Sequence, residues 1–251
     1  MVRKAEVVNV FATPYEDWSK RKTTLEEALD LVQNSGCHMS QAIQVNDKLN
    51  GVVSTHIEAA AHMLLHRVDN GLENHIDDAL GVSAAYRNLR DLMPQVEPEA
   101  LSSYQGKFSK HDWAIADEAI KAYGVELAEG QRIFHGGHWA SDSTSFTTSR
   151  PFSTSFCPQV ALRNAEWKGK AYDSGRVDLM VVCVTRPSTK AYAYSREGDH
   201  GNEKEIVFAS GAQLIRMRET HIADIPVSKV TSGFQILEKV VPAYVVEVEI
   251  S

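Results

Sequence analysis

The change of sequence pattern near residue 131 restricts the fold of this chain more than any other feature. Before it, apolar residues recur at helical spacing; after it, short runs rich in β-branched and aromatic residues alternate with clusters of Gly, Pro, Ser and Asp. The β-rich runs lie at 131–134, 179–184, 205–209, 213–218 and 243–250. This order predicts an α+β protein, in which a helical N-terminal region packs on a β-rich core.

The first half of the chain carries clear helix signals. Thr24 and Glu27 form a capping-box pattern, in which each side chain can accept a hydrogen bond from the other residue's backbone N–H. Apolar stripes and terminal Gly or Pro residues predict the remaining helices. The predicted helices are 24–35, about 40–68, 72–93, a short helical turn from Pro98, 109–123 (capped at Ser109) and 158–167. We divide the chain into a helical accessory region, 1–95, and a β-rich domain, 96–251.

Composition excludes several classes of protein. The 251 residues carry a formal net charge of -7, which argues against a broad basic surface for nucleic acid. Three widely spaced cysteines, Cys37, Cys157 and Cys183, form no CxxC pair, so we expect reduced thiols rather than a disulfide framework or a zinc ribbon.

No segment of the sequence predicts a membrane partner. The apolar run 7–12 is too short for the core of a signal peptide, and no run approaches the about 18 apolar residues of a membrane span. We therefore expect a cytoplasmic protein, or one delivered into a target cell without a cleaved signal peptide.

Three short segments of the second half each lie at the edge of a predicted strand. They are 131–137 (QRIFHGG), 152–156 (FSTSF) and 203–208 (EKEIVF). Their residues and order resemble the mono-ADP-ribosyltransferase toxin family, and the resemblance covers about residues 100–218, whereas 1–95 resembles no family. It implies a catalytic core of two small sheets that cleaves the nicotinamide–ribose bond of NAD, its co-substrate, and transfers ADP-ribose to an acceptor.

Glu203 and Glu205 resemble the ExE motif of that family. The resemblance implies that Glu205 binds the nicotinamide ribose and stabilises its developing positive charge, while Glu203 orients or deprotonates the acceptor. A spacing of two would place both carboxylates on one side of an extended segment. In isolation, the alternative is the solvated edge of a strand.

Ser153, Thr154 and Ser155 resemble the Ser-Thr-Ser motif that ends a strand and braces the NAD site. Their hydroxyls could position the catalytic Glu and contact the substrate, with Ser153 assigned to the catalytic group and all three to NAD binding. The alternative is a polar turn, because Ser and Thr are common in loops.

The first segment departs from the pattern of arginine-modifying members. They carry an aromatic-Arg-Gly sequence in which the Arg grips NAD, whereas Phe134 is followed here by His135 and Gly136. A His-Gly at this place is typical of the diphtheria-toxin and poly-ADP-ribose polymerase branch. We assign NAD binding to His135 and Gly136, with Arg132 as a second candidate through a shifted register, and a turn-forming His135 as the structural alternative.

The ExE pair implies a protein arginine as acceptor, with a DNA or RNA base as the alternative. Tyr192 or Tyr194, in the loop before Glu203, could contact that acceptor, and core packing is the alternative for both. The helical region could choose the target, guard the site or bind an immunity protein. A catalytically inactive binding module is a further alternative, supported by His135 but opposed by the retained glutamates.

A metalloenzyme is the competing class. Glu58, His62 and His66 fall four residues apart on one predicted helix, and two histidines at that spacing can share a metal. Met63 follows His62, so the HExxH motif is absent. We predict a polar helix face and no metal site.

Overall fold

The structure is a computed structural model that describes residues 5–107, 112–140 and 142–251. The helices are α1 (Leu25–Ser35), α2 (Met39–Ala42), α3 (His56–His66), α4 (Asn70–Val82), α5 (Ala84–Asp91), α6 (Glu99–Lys107), α7 (Trp113–Tyr123), α8 (Pro158–Glu166) and α9 (Lys170–Ser174). The strands are β1 (Tyr15–Lys22), β2 (Gln44–Val53), β3 (Val125–Glu126), β4 (Arg132–Gly137), β5 (Ser145–Thr147), β6 (Phe152–Ser155), β7 (Val177–Val184), β8 (Lys190–Ala193), β9 (Glu205–Phe208), β10 (Gln213–Val230) and β11 (Ile236–Ile250). The predicted α+β class is confirmed.

The predicted helix 40–68 is wrong over 44–53, which form the strand β2, and only the flanking residues are helical, in α2 and α3. The other predicted helices are present, with one division. The Thr24 and Glu27 side chains form the expected reciprocal cap of α1. The predicted helix 72–93 is divided into α4 and α5 at Ser83, whose backbone is extended and whose hydroxyl accepts from the Tyr86 N–H. The predicted cap at Ser109 lies outside the described residues.

A two-stranded hairpin interrupts the helical region and was not predicted. β1 and β2 pair antiparallel, and the chain between them forms α1 and α2. Most side chains of both strands are exposed or half-exposed, and Val53 is the buried residue of β2. Without a buried face the strands show no apolar alternation, so the sequence carries no signal for them.

The second half forms a sheet with strand order β3-β8-β9-β6-β4-β7-β11-β10-β5. A single residue pair, Phe134 with Ser155, joins β4 to β6. The sheet therefore divides there into a four-stranded part, β3-β8-β9-β6, and a five-stranded part, β4-β7-β11-β10-β5, which matches the expectation of two small sheets. The last residue of β6 thus meets the middle of β4 at this junction.

The β10–β11 hairpin is longer than its sequence signal. The predicted runs 213–218 and 243–250 are its inner halves, and the strands continue to Val230 and from Ile236. Around the turn the side chains are exposed, Phe234 by 89%. In the extension of β10 the buried residues are Ile225 and Val227, and Pro226 between them weakens the strand signal.

One hydrophobic core includes residues of the N-terminal segment, the helices and the sheet. The Gln131 side chain binds the backbone of Val8 through both its oxygen and its nitrogen, at 2.8 and 2.9 Å. Helix α8 lies so close to β4 that a Cβ at Gly136 would be 1.6 Å from the Ala161 carbonyl oxygen. In the described ranges, no helix combines the length and apolar character needed to cross a membrane.

Candidate active site

Glu205 lies at the start of β9 with only 4% of its surface exposed. The Ser153 hydroxyl donates to one carboxylate oxygen, and the Gln105 amide donates to the other at 3.0 Å. Burial raises the pKa of Glu205 to about 7; the two hydrogen bonds oppose this shift and the negative charge of Glu203 adds to it. The solvated strand edge is therefore the wrong alternative for this residue.

A turn, rather than an extended segment, separates the two glutamates. Glu203 ends a short 3-10 turn, and Lys204 has left-handed backbone angles, φ 49° and ψ 41°. The prediction that both glutamates lie on one side of an extended segment is wrong. The side chain of Lys204, between them, points into the protein. Glu203 itself is half-buried, and burial raises the pKa of its carboxyl while His200, 3.9 Å away, opposes the shift.

Lys204 anchors this turn to α4. Its amine is 3.0 Å from Asp77 and 3.4 Å from Glu73, and 1% of its side chain is exposed. A buried ammonium is tolerated because it is paired with two carboxylates. The backbone on both sides of Lys204, and with it both glutamates, is therefore fixed relative to the helical region.

The three hydroxyls of β6 have different partners. Ser153 reaches the Glu205 carboxylate, whereas the Thr154 hydroxyl donates to the Ile206 carbonyl at 2.7 Å. The Ser155 hydroxyl donates to the Glu203 carbonyl at 2.6 Å and accepts from the Cys157 N–H. Thr154 and Ser155 thus brace the backbone of the glutamate turn, and Ser153 is the hydroxyl that contacts the carboxylate.

His135 lies beside this group, on the neighbouring strand β4. Its Nδ1 is 2.6 Å from the Ser153 carbonyl oxygen, and its ring packs on Phe152 at 4.3 Å. The side chain is half-exposed, yet burial of the ring under its neighbours lowers the pKa to about 4. At neutral pH the imidazole is uncharged, so Nδ1 donates to the carbonyl and Nε2 is an acceptor.

Arg132 and Gly136 lie on the opposite face of β4 from His135, because side chains alternate along a strand. Gly136 faces α8, where its lack of a side chain permits the close approach described above. Arg132 lines a depression of about 360 Å³ together with His56. Of the three residues predicted on this strand, the structure therefore brings His135 alone to Ser153 and Glu205.

Sequence reasoning missed Gln105 and two cations. Gln105, on α6, lies within a segment recognised only as helical. Arg150 lies two residues before β6 and has its guanidinium over the Trp113 ring at 4.9 Å, and Lys170 begins α9. Both positive charges contribute to lowering the pKa of His135. Within the described part of the chain neither forms an ion pair, and no local pattern links positions 20 residues apart.

Tyr192 and Tyr194 do not occupy an acceptor surface. Both are buried, and the Tyr192 hydroxyl donates to Glu97 while the Tyr194 hydroxyl donates to the Leu101 carbonyl at 3.0 Å. They pack the strand and loop before Glu203 against the helix α6 region. Of the two alternatives for these tyrosines, core packing is therefore the one that the structure supports.

The arrangement can stabilise positive charge next to a buried carboxylate while nearby cations attract an anion. Neither a protein-family model nor a curated protein matches the sequence. Similar structures have been solved, among them the enzymatic component C2-I of the C2 toxin from Clostridium botulinum. It is 9% identical with a TM-score of 0.37, and the match covers 65% of this chain and 45% of C2-I. This chain thus spans less than half the length of C2-I.

Two further similar structures match over more of their own length. The Vis toxin, an ADP-ribosyltransferase from Vibrio splendidus, is 13% identical with a TM-score of 0.34, covering 92% of this chain and 88% of Vis. Exoenzyme S from Pseudomonas aeruginosa, in complex with human 14-3-3 protein beta and bound to carba-NAD, is 14% identical with a TM-score of 0.36, covering 77% and 88%. The chain is similar to bacterial toxins that include an ADP-ribosyltransferase.

Proposed function

We propose that this protein is an NAD-dependent mono-ADP-ribosyltransferase. The observation that carries the proposal is the buried Glu205 carboxylate, held by Ser153 and Gln105 and with a pKa of about 7. When the bond between the ribose C1′ and the nicotinamide nitrogen breaks, its electron pair leaves with nicotinamide. The ribose then becomes oxocarbenium-like, and an ionised carboxylate in a water-poor site stabilises that charge strongly.

Glu205 would accept a hydrogen bond from the 2′-hydroxyl of the nicotinamide ribose. Its two protein donors orient the carboxylate without neutralising it, so the negative charge remains available to the sugar. Because the pKa is near 7, about half of the groups are ionised at neutral pH before NAD binds. The positively charged nicotinamide ring of NAD would favour the ionised form further.

Glu203 would serve the acceptor. Its carboxyl is half-buried and adjacent to Glu205, so a nucleophile that binds between Glu203 and the ribose could lose its proton to Glu203 as it attacks C1′. We propose a protein arginine as that nucleophile. The guanidinium would be oriented by the same carboxylate that removes its proton.

The remaining parts of NAD would lie along β4 and β6. Neutral His135 offers Nε2 as an acceptor for a hydroxyl of the adenosine ribose. Arg150 and Lys170, which form no ion pair among the described residues, supply positive charge for the diphosphate. Arg132 is the weaker candidate for that role because it lies on the other face of β4.

The test measures nicotinamide release from NAD by the purified chain, with Glu205→Gln and Glu203→Gln as the variant pair. We expect Glu205→Gln to lose nicotinamide release, and Glu203→Gln to keep NAD hydrolysis while losing transfer to an acceptor. Equal release by wild type and Glu205→Gln would overturn the assignment. A wild type that binds NAD without cleaving it would instead identify a binding module.

The acceptor is identified with labelled NAD in a cell lysate. We expect label that protease removes and nuclease leaves, since the proposed acceptor is a protein. Label that nuclease removes and protease leaves would establish the alternative, a nucleic acid base. An immunity or antitoxin partner and delivery into a target cell belong to the same proposal, and co-purification from the source cell tests the partner.

A further inference from the structure

A second group of functional side chains lies outside the candidate active site, between the β1–β2 hairpin and α3. Asp17, His62 and His66 each offer one ligand atom, and these atoms lie within 4.8 Å of one another. His62 and His66 are one turn apart on α3, and their rings stack with centroids 4.1 Å apart. Asp17 comes from β1, so the group joins two separate elements. Glu58, the third residue of the sequence pattern, is engaged instead in capping α3.

Asp69 orients one of these histidines. The Nε2 atom of His62 is 2.7 Å from an Asp69 carboxylate oxygen. The same carboxylate also accepts hydrogen bonds from the Leu72 amide and the Tyr15 hydroxyl. This contact directs Nε2 of His62 towards Asp69 and leaves Nδ1 as the ring nitrogen available to a metal. A carboxylate bonded to the far nitrogen is the usual support of a metal-binding histidine.

A β-bulge lies next to Asp17. The pairing of β1 with β2 shifts register between Asp17, opposite Gly51, and Trp18, opposite Leu49, so the extra residue is Asn50 of β2. Bulges commonly lie beside functional sites. Here it accompanies the one carboxylate of the strand that faces the two histidines.

We propose that Asp17, His62 and His66 bind a zinc ion that fastens the hairpin to α3. Two imidazole nitrogens and a carboxylate oxygen are a common zinc ligand set, with water as the fourth ligand. Ligand atoms around one tetrahedral zinc are about 3.3 Å apart, so rotations of the side chains would close the group. The Asp17 charge and the Asp69 charge behind His62 together balance the two positive charges of the ion.

The site would stabilise a part of the chain that has little else to hold it. Most side chains of the β1–β2 hairpin are exposed or half-exposed, so the hairpin has no buried face. A metal that bridges Asp17 and α3 closes a loop of more than 40 residues, which restricts the unfolded chain as a crosslink does. The proposal does not involve NAD, so it stands or falls independently of the proposed function.

The experiment titrates zinc chloride into the untagged full chain after treatment with a chelator, and measures stoichiometry and affinity by calorimetry. We expect one zinc ion per chain. His66→Ala and Asp17→Asn should each weaken binding at least about tenfold. His221→Ala is the matched control: this exposed histidine pairs with Asp224 on the distant β10 strand and should leave binding unchanged.

Thermal unfolding supplies an independent measurement. Zinc should raise the Tm of the wild type and of His221→Ala but not that of His66→Ala. His66 is exposed, so its replacement keeps the fold, which far-ultraviolet circular dichroism verifies. The absence of saturable zinc binding, or equal affinity in wild type and His66→Ala, would overturn the proposal.

Discussion

Two shielded carboxylates of this protein, Glu205 and Asp69, have opposite pKa shifts. Each receives hydrogen bonds from a hydroxyl and from nitrogen donors, and burial acts to raise the pKa of each. Yet the pKa of Glu205 is raised to about 7, while that of Asp69 is lowered to about 2. The same chemical group is therefore near half-ionised at one site and permanently ionised at the other.

The donors explain the difference. Asp69 caps α4, where two backbone amides and the positive end of the helix dipole favour the anion, and His62 adds a donor that can carry charge. Among the described residues, the hydrogen bonds to Glu205 come from two neutral donors, Ser153 and Gln105, and a second carboxylate, Glu203, lies nearby. Desolvation is outweighed at the first site and prevails at the second. A carboxylate with few compensating partners is available to a substrate, whereas a fully compensated one serves the structure.

The largest expected effect is on the rate of NAD cleavage, which should depend on Glu205 and not on Asp69. Glu205→Gln should reduce NAD cleavage by about 100- to 1,000-fold, because the charge that stabilises the transition state is lost. Asp69→Asn should leave NAD cleavage nearly unchanged wherever the variant is folded, because Asp69 does not contact the site. Nicotinamide release followed by chromatography measures both. A comparable loss of NAD cleavage in the two folded variants would contradict the assignment of Glu205 to catalysis and of Asp69 to the structure.

The free energy of unfolding should respond in the opposite way: the Asp69 variant should be destabilised and the Glu205 variant should not. Asp69→Asn should cost about 2 kcal/mol at pH 7, because the folded-state pKa is depressed from 3.8 to about 2. That contribution is present above pH 3.8 and disappears as the pH falls through 2. Urea denaturation at pH 7 measures the loss.

Glu205→Gln should instead stabilise the fold at pH 8, by up to about 3 kcal/mol, because it removes a buried charge whose pKa is raised from 4.5 to about 7. The native protein is penalised above pH 7 and not below pH 4.5, so the two proteins should converge in acid. Urea denaturation at pH 8 and pH 4.5 tests the sign. A variant less stable than wild type at pH 8 would contradict it.

The pH dependence of the reaction tests the ionisation of Glu205. If ionised Glu205 is the active form, kcat/KM for NAD should rise about tenfold per pH unit below 7 and level off above it. Ser153→Ala removes a hydrogen bond that favours the anion, so the midpoint should move to higher pH. Stopped assays in a buffer series of constant ionic strength measure kcat/KM at each pH. An unchanged midpoint in Ser153→Ala would show that the Ser153 hydrogen bond does not affect the ionisation of Glu205.

The smallest expected effect concerns the cations near His135. Arg150→Ala should raise the KM for NAD about tenfold, by loss of a charged contact to the diphosphate. Arg132→Ala, on the other face of β4, should change it by no more than about twofold. Initial-rate measurements over a range of NAD concentrations compare the two. A larger effect at Arg132 would favour the shifted register considered in the sequence.

Local sequence pattern anticipated those parts of the site that neighbouring strands supply. Ser153, Glu205 and His135 lie in short segments with recognisable neighbours, and the sheet places them in contact. Gln105 and Arg150 reach the same place from elements whose approach depends on tertiary packing, which no window of sequence contains. The β1–β2 hairpin was missed for a different reason, since without a buried face it has no periodicity.

The burial of Lys204 has a practical consequence for following this protein in solution. Reagents that acylate amines should modify the exposed lysines of the native chain and leave this one untouched, because its amine is enclosed by α4. Mass spectrometry of the digested protein would then use position 204 as an internal reporter. Its modification would mean that α4 and the glutamate turn have come apart, even where the rest of the molecule remains folded.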